Sequence, residues 1–161
     1  VEKGVNFLLL AADKLPDIQF KIVGDGPQRI HLEKIVADKK MKNVEIAGEK
    51  HGQELANFMA GARLLTAPSV WHENAPMSVV EAKAHGKVIV ASSTGGISEI
   101  LPADLLIPPA DPSALAKKIK EWFYANPSKI QEFGINLQTE SQLENGADNY
   151  LKKLLEIYCA L

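Results

Sequence analysis

Five short, mostly apolar runs, Ile18–Val23, Val44–Ala47, Ala62–Ala67, Lys87–Ser92 and Asp104–Ile107, alternate along this chain with stretches whose apolar residues recur every three or four positions. Runs rich in Val, Ile and Leu and bounded by Gly, Pro or Ser read as strands buried on both faces, and the stretches between them as helices. Parallel strands joined by helical crossovers give a doubly wound parallel sheet, a Rossmann-like α/β fold with right-handed connections. In such a sheet ligands bind beyond the carboxyl ends of the strands, and the loops at Gly24, Gly48, Ser69 and Ser93 all fall at that edge.

The helical stretches differ in how clearly they are marked. Val5, Leu8, Leu9 and Ala12 sit at i, i+3, i+4 and i+7, in a helix that ends near Leu15-Pro16. Leu32, Ile35 and Val36 mark the buried side of a second helix, and Leu55, Phe58 and Met59 that of a third. Asp111-Pro112 is an N-cap followed by a first-turn proline, opening a helix with Leu115, Ile119, Trp122 and Phe123 on one side. A last helix around Ala147–Ala160 is expected to bury Leu151, Leu154, Leu155 and Tyr158, and the polar stretch Gln138–Asp148 before it reads as a loop or frayed helix.

With 161 residues and a net charge of −2, the chain has one domain's worth of core, and its interspersed charges give no basic face for nucleic acid. Runs such as Phe7–Ala12 are too short to span a bilayer, which leaves peripheral membrane contact open. The single Cys159 forms no intrachain disulfide and reads as a small apolar residue. No signal peptide is present, so a cytoplasmic location is expected. The chain starts at Val1 without an initiator Met, directly before a helix, and is therefore expected to be one lobe, residues 1–161, of a longer protein.

The richest stretch runs from Pro68 to Glu99. Asn74 is a good N-cap, Pro76 suits a first turn, and Met77, Val80 and Ala84 recur at helical spacing. Glu73 then lies just before the helix and Glu81 two turns inside it, a rise of roughly 12 Å if the whole span is helical. Between them, free amides on Ala75, Met77 and Ser78 suit a diphosphate. The span fits a ligand with a sugar at each end of a diphosphate.

Glu73, seven residues, Glu81, then Ala82, Gly86 and Thr94-Gly95-Gly96-x-x-Glu99 together resemble the donor-binding lobe of retaining GT-B glycosyltransferases of group 1, the family-four type. Trp71-x-Glu73-Asn74-x-Pro76 is similar to a common variant of that family's motif. The resemblance covers the chain from Glu2 to about Tyr158. It implies transfer of a sugar from a nucleotide-diphosphate donor to an acceptor hydroxyl, with retention, and an acceptor glycan or lipid-linked glycan held by an N-terminal lobe absent from this chain. It implies that Glu81 accepts hydrogen bonds from the ribose and Glu73 from the transferred sugar, and that Lys3 meets the diphosphate beside an upstream arginine this chain lacks. Gly48 and Glu49 match the loop whose backbone meets the base, and Gly95-Gly96 would permit close backbone approach to the diphosphate. Pro76 matches a turn position but has no N–H to donate, and Val88 stands where the family often has proline.

No cofactor is implied. No Asp-x-Asp pair stands here to hold a metal and the four histidines lack zinc-like spacing, so a metal-independent design is expected, with Lys3 and helix amides compensating the diphosphate. Each assignment has a plainer counterpart: Glu81 a solvated helix glutamate, Glu73 a carboxylate favoured by a helix N-terminus, Lys3 a surface lysine, Gly95-Gly96 a turn. Trp71, His72 and His85 read as packing or rim residues. Gly24-Asp25-Gly26-Pro27 carries Arg29 where the dinucleotide fingerprint needs its third glycine. A nicotinamide-dependent oxidoreductase is disfavoured on that ground, and a non-enzymatic α/β ligand-binding or regulatory module stands as the other alternative.

Overall fold

The computed structural model describes residues 2–145 and 147–159. Strands and helices alternate as expected: α1 (Val5–Asp13), β1 (Phe20–Val23), α2 (Arg29–Asp38), β2 (Val44–Gly48), α3 (Gly52–Gly61), β3 (Leu65–Ala67), α4 (Met77–Ala84), β4 (Ile89–Ser92), α5 (Ile97–Ile100), β5 (Leu106–Ile107), α6 (Pro112–Phe123), α7 (Pro127–Asn145) and α8 (Ala147–Cys159). Every described strand pairing is parallel. The ladders fall into a β1–β2 pair and a β3–β4–β5 triplet, with Leu65 opposite Ile89 and Ala91 opposite Leu106.

Strand β4 is buried along its whole length, as a central parallel strand covered on both faces must be. Val79 and Ala82 of α4, Ala11 and Ala12 of α1, and Leu115, Ile119 and Trp122 of α6 all belong to the same core as Val88–Ala91. Asp111 caps α6 as expected, its Oδ1 accepting from Ser113 and Ala114 N–H at 2.9 Å each. The expected strand at Asp104–Ile107 is shortened, because Ala103–Leu105 forms a 3-10 turn and only Leu106–Ile107 pairs with β4.

Further expectations are corrected. Helix α4 starts at Met77 with Pro76, not Asn74, in the capping position (φ −65°, ψ 122°), so Asn74 and Ala75 belong to the preceding turn. The later start turns the helix differently: Val79, Ala82 and Lys83 are buried, whereas Met77 is exposed. Lys83 can be buried because its ammonium donates to the Ile100 carbonyl at 2.9 Å and lies 3.6 Å from Glu140.

Of the two readings of the stretch from Gln138, loop or frayed helix, the helix holds: it belongs to α7 as far as Asn145, and Gly146 lies outside the described residues. Helix α7 opens on Asn126, whose Oδ1 accepts from Ser128 N–H at 2.9 Å, with Pro127 in its first turn. It packs on α4 where Gly134 meets Gly86 so closely that a Cβ on Gly134 would stand 2.1 Å from the Gly86 carbonyl oxygen. Gln138 then donates to the Ala84 carbonyl at 2.9 Å, satisfying an acceptor at the end of α4.

Helix α8 forms where expected and packs on α7, but Leu151, Leu155 and Tyr158 are exposed rather than buried. Cys159 is exposed and free, and Ala160 lies outside the described residues. Among the described residues no helix is long and apolar enough to cross a membrane.

Candidate functional site

The chain enters α1 alongside the turn that leaves β3. Gly4 has φ +68°, and a Cβ there would lie 1.7 Å from the Pro68 carbonyl oxygen, so only glycine allows the two segments to pass. Val70 N–H donates to the Glu2 carbonyl at 2.9 Å and Ser69 Oγ lies 3.0 Å from the same oxygen. These contacts place Lys3 against Glu73 across seventy positions of sequence. The Lys3 ammonium reaches both Glu73 carboxylate oxygens at 2.9 Å, and Ser69 Oγ donates to Oε1 at 2.8 Å.

The electrostatics follow from that cluster. Burial alone would push the Glu73 carboxyl up. The Lys3 hydrogen bond, the Ser69 hydrogen bond and the Lys3 charge together outweigh it, and the net result lies below the ordinary value of 4.5. Glu73 is therefore ionised at neutral pH, an acceptor held in one place with its side chain 16% exposed.

Gly95 and Gly96, at the loop after β4, are packed against the backbone of this same turn. A Cβ on Gly95 would stand 2.4 Å from the Glu73 carbonyl oxygen and one on Gly96 1.9 Å from that of Asn74. Gly96 N–H donates to the Glu73 carbonyl at 2.8 Å and is already spent. The missing side chains thus seat one loop on another, a need sequence reasoning did not weigh against approach by a ligand.

The amides offered at the start of α4 are also fewer than expected. Val79 and Val80 N–H both donate to the Pro76 carbonyl, at 2.9 and 3.2 Å, and Ala75 precedes the helix, which leaves Met77 and Ser78 as its first-turn donors. Only Met77 to Glu81 is helical, so helical rise separates Met77 from Glu81 by about 6 Å and says nothing of residues 73–76. Glu81 is half-buried on α4 and makes no side-chain hydrogen bond or ion pair among the described residues.

Gly48 and Glu49 belong to the other ladder. Gly48 (φ +72°) lies against the Arg29 guanidinium, its carbonyl accepts from Gly24 N–H at 2.8 Å, and the exposed Glu49 carboxylate stands 3.4 Å from His51 Nε2. Arg29, which breaks the dinucleotide pattern, instead bridges Asp25 at 3.0 Å and Glu33 at 2.8 Å. Trp71, His72 and His85 are exposed, as rim residues are and packed ones are not. Sequence reasoning put the Ser69 loop at the ligand-binding edge but missed the Ser69 hydroxyl as a partner of Glu73. It also missed the buried hydroxyls of Ser92 and Thr94, which have no partner among the described residues.

Among the described residues no three His, Cys, Asp or Glu side chains converge as a metal site would need. A shallow hollow of about 420 Å³ is formed by Leu151, Leu155, Cys159 and their neighbours on α8. It is apolar and holds none of the Lys3–Glu73 cluster.

The parallel α/β architecture defines a Rossmann-like lobe of the kind found in GT-B proteins, and the Lys3–Glu73 pair lies at the turn that leaves β3. The family of glycosyl transferases group 1 matches residues 1–124, and the chain belongs to it. The sulfoquinovosyl transferase of Arabidopsis thaliana is 31% identical over 139 residues, covering 86% of this chain and 24% of that protein. Among solved structures, the sucrose-phosphate synthase of Thermosynechococcus elongatus superposes with a TM-score of 0.83 at 26% identity, over 99% of this chain and 43% of that one. The Anabaena protein HepE, solved with UDP-glucose, shares the fold with a TM-score of 0.82 at 22% identity, over 99% of this chain and 46% of that one. The chain therefore spans less than half the length of each.

Proposed function

We propose that this chain is the donor-binding lobe of a retaining, hexosyl-transferring enzyme that moves a sugar from a nucleoside diphosphate to an acceptor hydroxyl. The observation that carries the reading is the Lys3–Glu73 pair, assembled from opposite ends of a seventy-residue span on the turn that leads into α4. Lys3 and the Met77 and Ser78 amides stabilise the leaving diphosphate, without calling on a metal or cofactor, while Glu73 accepts from a hydroxyl of the transferred sugar. Glu81 accepts from the ribose, the backbone at Gly48 and Glu49 meets the base, and Gly95 lines the turn that faces the diphosphate.

The acceptor, a glycan or lipid-linked glycan, is held by the remainder of the enzyme, which works in the cytoplasm or at the inner face of its membrane. Support comes from the family, from the named transferase relative and from the UDP-glucose bound by the similarly folded HepE. Screening nucleotide sugars on the intact enzyme tests the reading: Glu73→Ala and Lys3→Ala are expected to lower turnover by at least about tenfold each. Turnover unchanged in both variants would remove these roles. By calorimetry Glu81→Ala should weaken donor binding, and equal affinity would contradict the ribose assignment.

A further inference from the structure

Ser69 is 4% exposed, sits four residues before Glu73 and donates to its Oε1 at 2.8 Å. Its one hydroxyl proton has two acceptors in reach, Glu73 Oε1 and the Glu2 carbonyl at 3.0 Å. The carboxylate is the stronger and closer acceptor, and the Glu2 carbonyl is already served by Val70 N–H at 2.9 Å, so the proton belongs to Glu73.

That assignment has a consequence for the carboxylate. Each of its oxygens offers two lone-pair sites. Oε1 takes Lys3 and Ser69 and is filled; Oε2 takes Lys3 alone. Resting on the donor-binding reading above, we propose that Ser69 is the positioning residue of Glu73. By saturating Oε1 it fixes the carboxylate rotation and presents Oε2 as the single open acceptor for one sugar hydroxyl. The site then recognises a donor whose sugar carries a hydroxyl at that one point, and it discriminates the sugar nucleotide from the bare nucleoside diphosphate through Ser69 as well as Glu73.

Ser69→Ala suits the test because it leaves the Glu2 carbonyl with its Val70 partner and takes up no new volume. Binding is measured by calorimetry on the full-length enzyme with UDP-glucose, UDP-N-acetylglucosamine, ADP-glucose and GDP-mannose, each paired with its own nucleoside diphosphate. For the pair the wild type binds best, Ser69→Ala is expected to lose about tenfold in affinity for the sugar nucleotide and less than about twofold for the diphosphate. Adding Ser69→Ala to Glu73→Ala should cost nothing more, since one acts through the other. Equal losses for both ligands, no loss for either, or full additivity in the double variant would each overturn the positioning role while leaving the donor-binding reading intact. A wild type that binds no member of the panel would overturn that reading and this inference together.

Discussion

The Glu73 carboxyl is held below its ordinary value by residues that sequence spacing does not connect with it. Burial raises its pKa, and the Lys3 and Ser69 hydrogen bonds with the Lys3 charge bring it below 4.5. A carboxyl depressed on folding contributes stability above its unfolded value and loses it as pH falls through the folded one. The Lys3 side chain is 72% exposed, which limits the pair to about 1 kcal/mol at most. The stability gap between wild type and Glu73→Gln is therefore expected in full well above the ordinary carboxyl value of 4.5 and to shrink as pH falls below it. Urea melts at stepped pH measure it, and a gap that widens toward acid would reverse the sign.

Helices show how far local signals reach. Helix α1 was legible because Leu8, Leu9 and Ala12 follow its period and do lie in the core, and α6 because Asp111-Pro112 announces its start. The start of helix α7 was missed although Asn126-Pro127 is the same kind of signal, because beyond Leu137 its one apolar residue, Leu143, is exposed and only Ile130, Phe133 and Leu137 reach the core. Its glycine gives a sign test. By helix propensity Gly134→Ala should gain about 1 kcal/mol, yet its Cβ would stand 2.1 Å from the Gly86 carbonyl oxygen. Forcing α7 off α4 outweighs that gain, and the substitution is expected to destabilise the fold by about 1–3 kcal/mol in chemical denaturation. A stabilised variant would mean the two helices separate freely.

Across the whole molecule, burial divides the apolar residues into two sets that composition cannot tell apart. Trp122 is 2% exposed and packs edge-on against Phe133 at 4.8 Å, whereas Leu155 on α8 is 61% exposed. Trp122→Ala is expected to cost about 3–5 kcal/mol. Leu155→Ser should cost no more than about 0.5 kcal/mol in this chain, because it empties no packed space. Thermal melts of the two variants decide it: a large loss for Leu155→Ser would show that α8 contributes to this lobe's own core.

Alternation of short apolar runs with segments of helical period, the turn residues between them and the order of motifs from Trp71 to Glu99 are local properties, and they were enough to specify a parallel α/β lobe and its family. What touches Glu73 is not local. Lys3 and Ser69 meet it, and Gly95 and Gly96 seat its backbone, only because separate crossovers end at one edge of the sheet. Periodicity records which face of an element is buried, but it does not record which distant segment comes to lie against it, and that approach assembles the site.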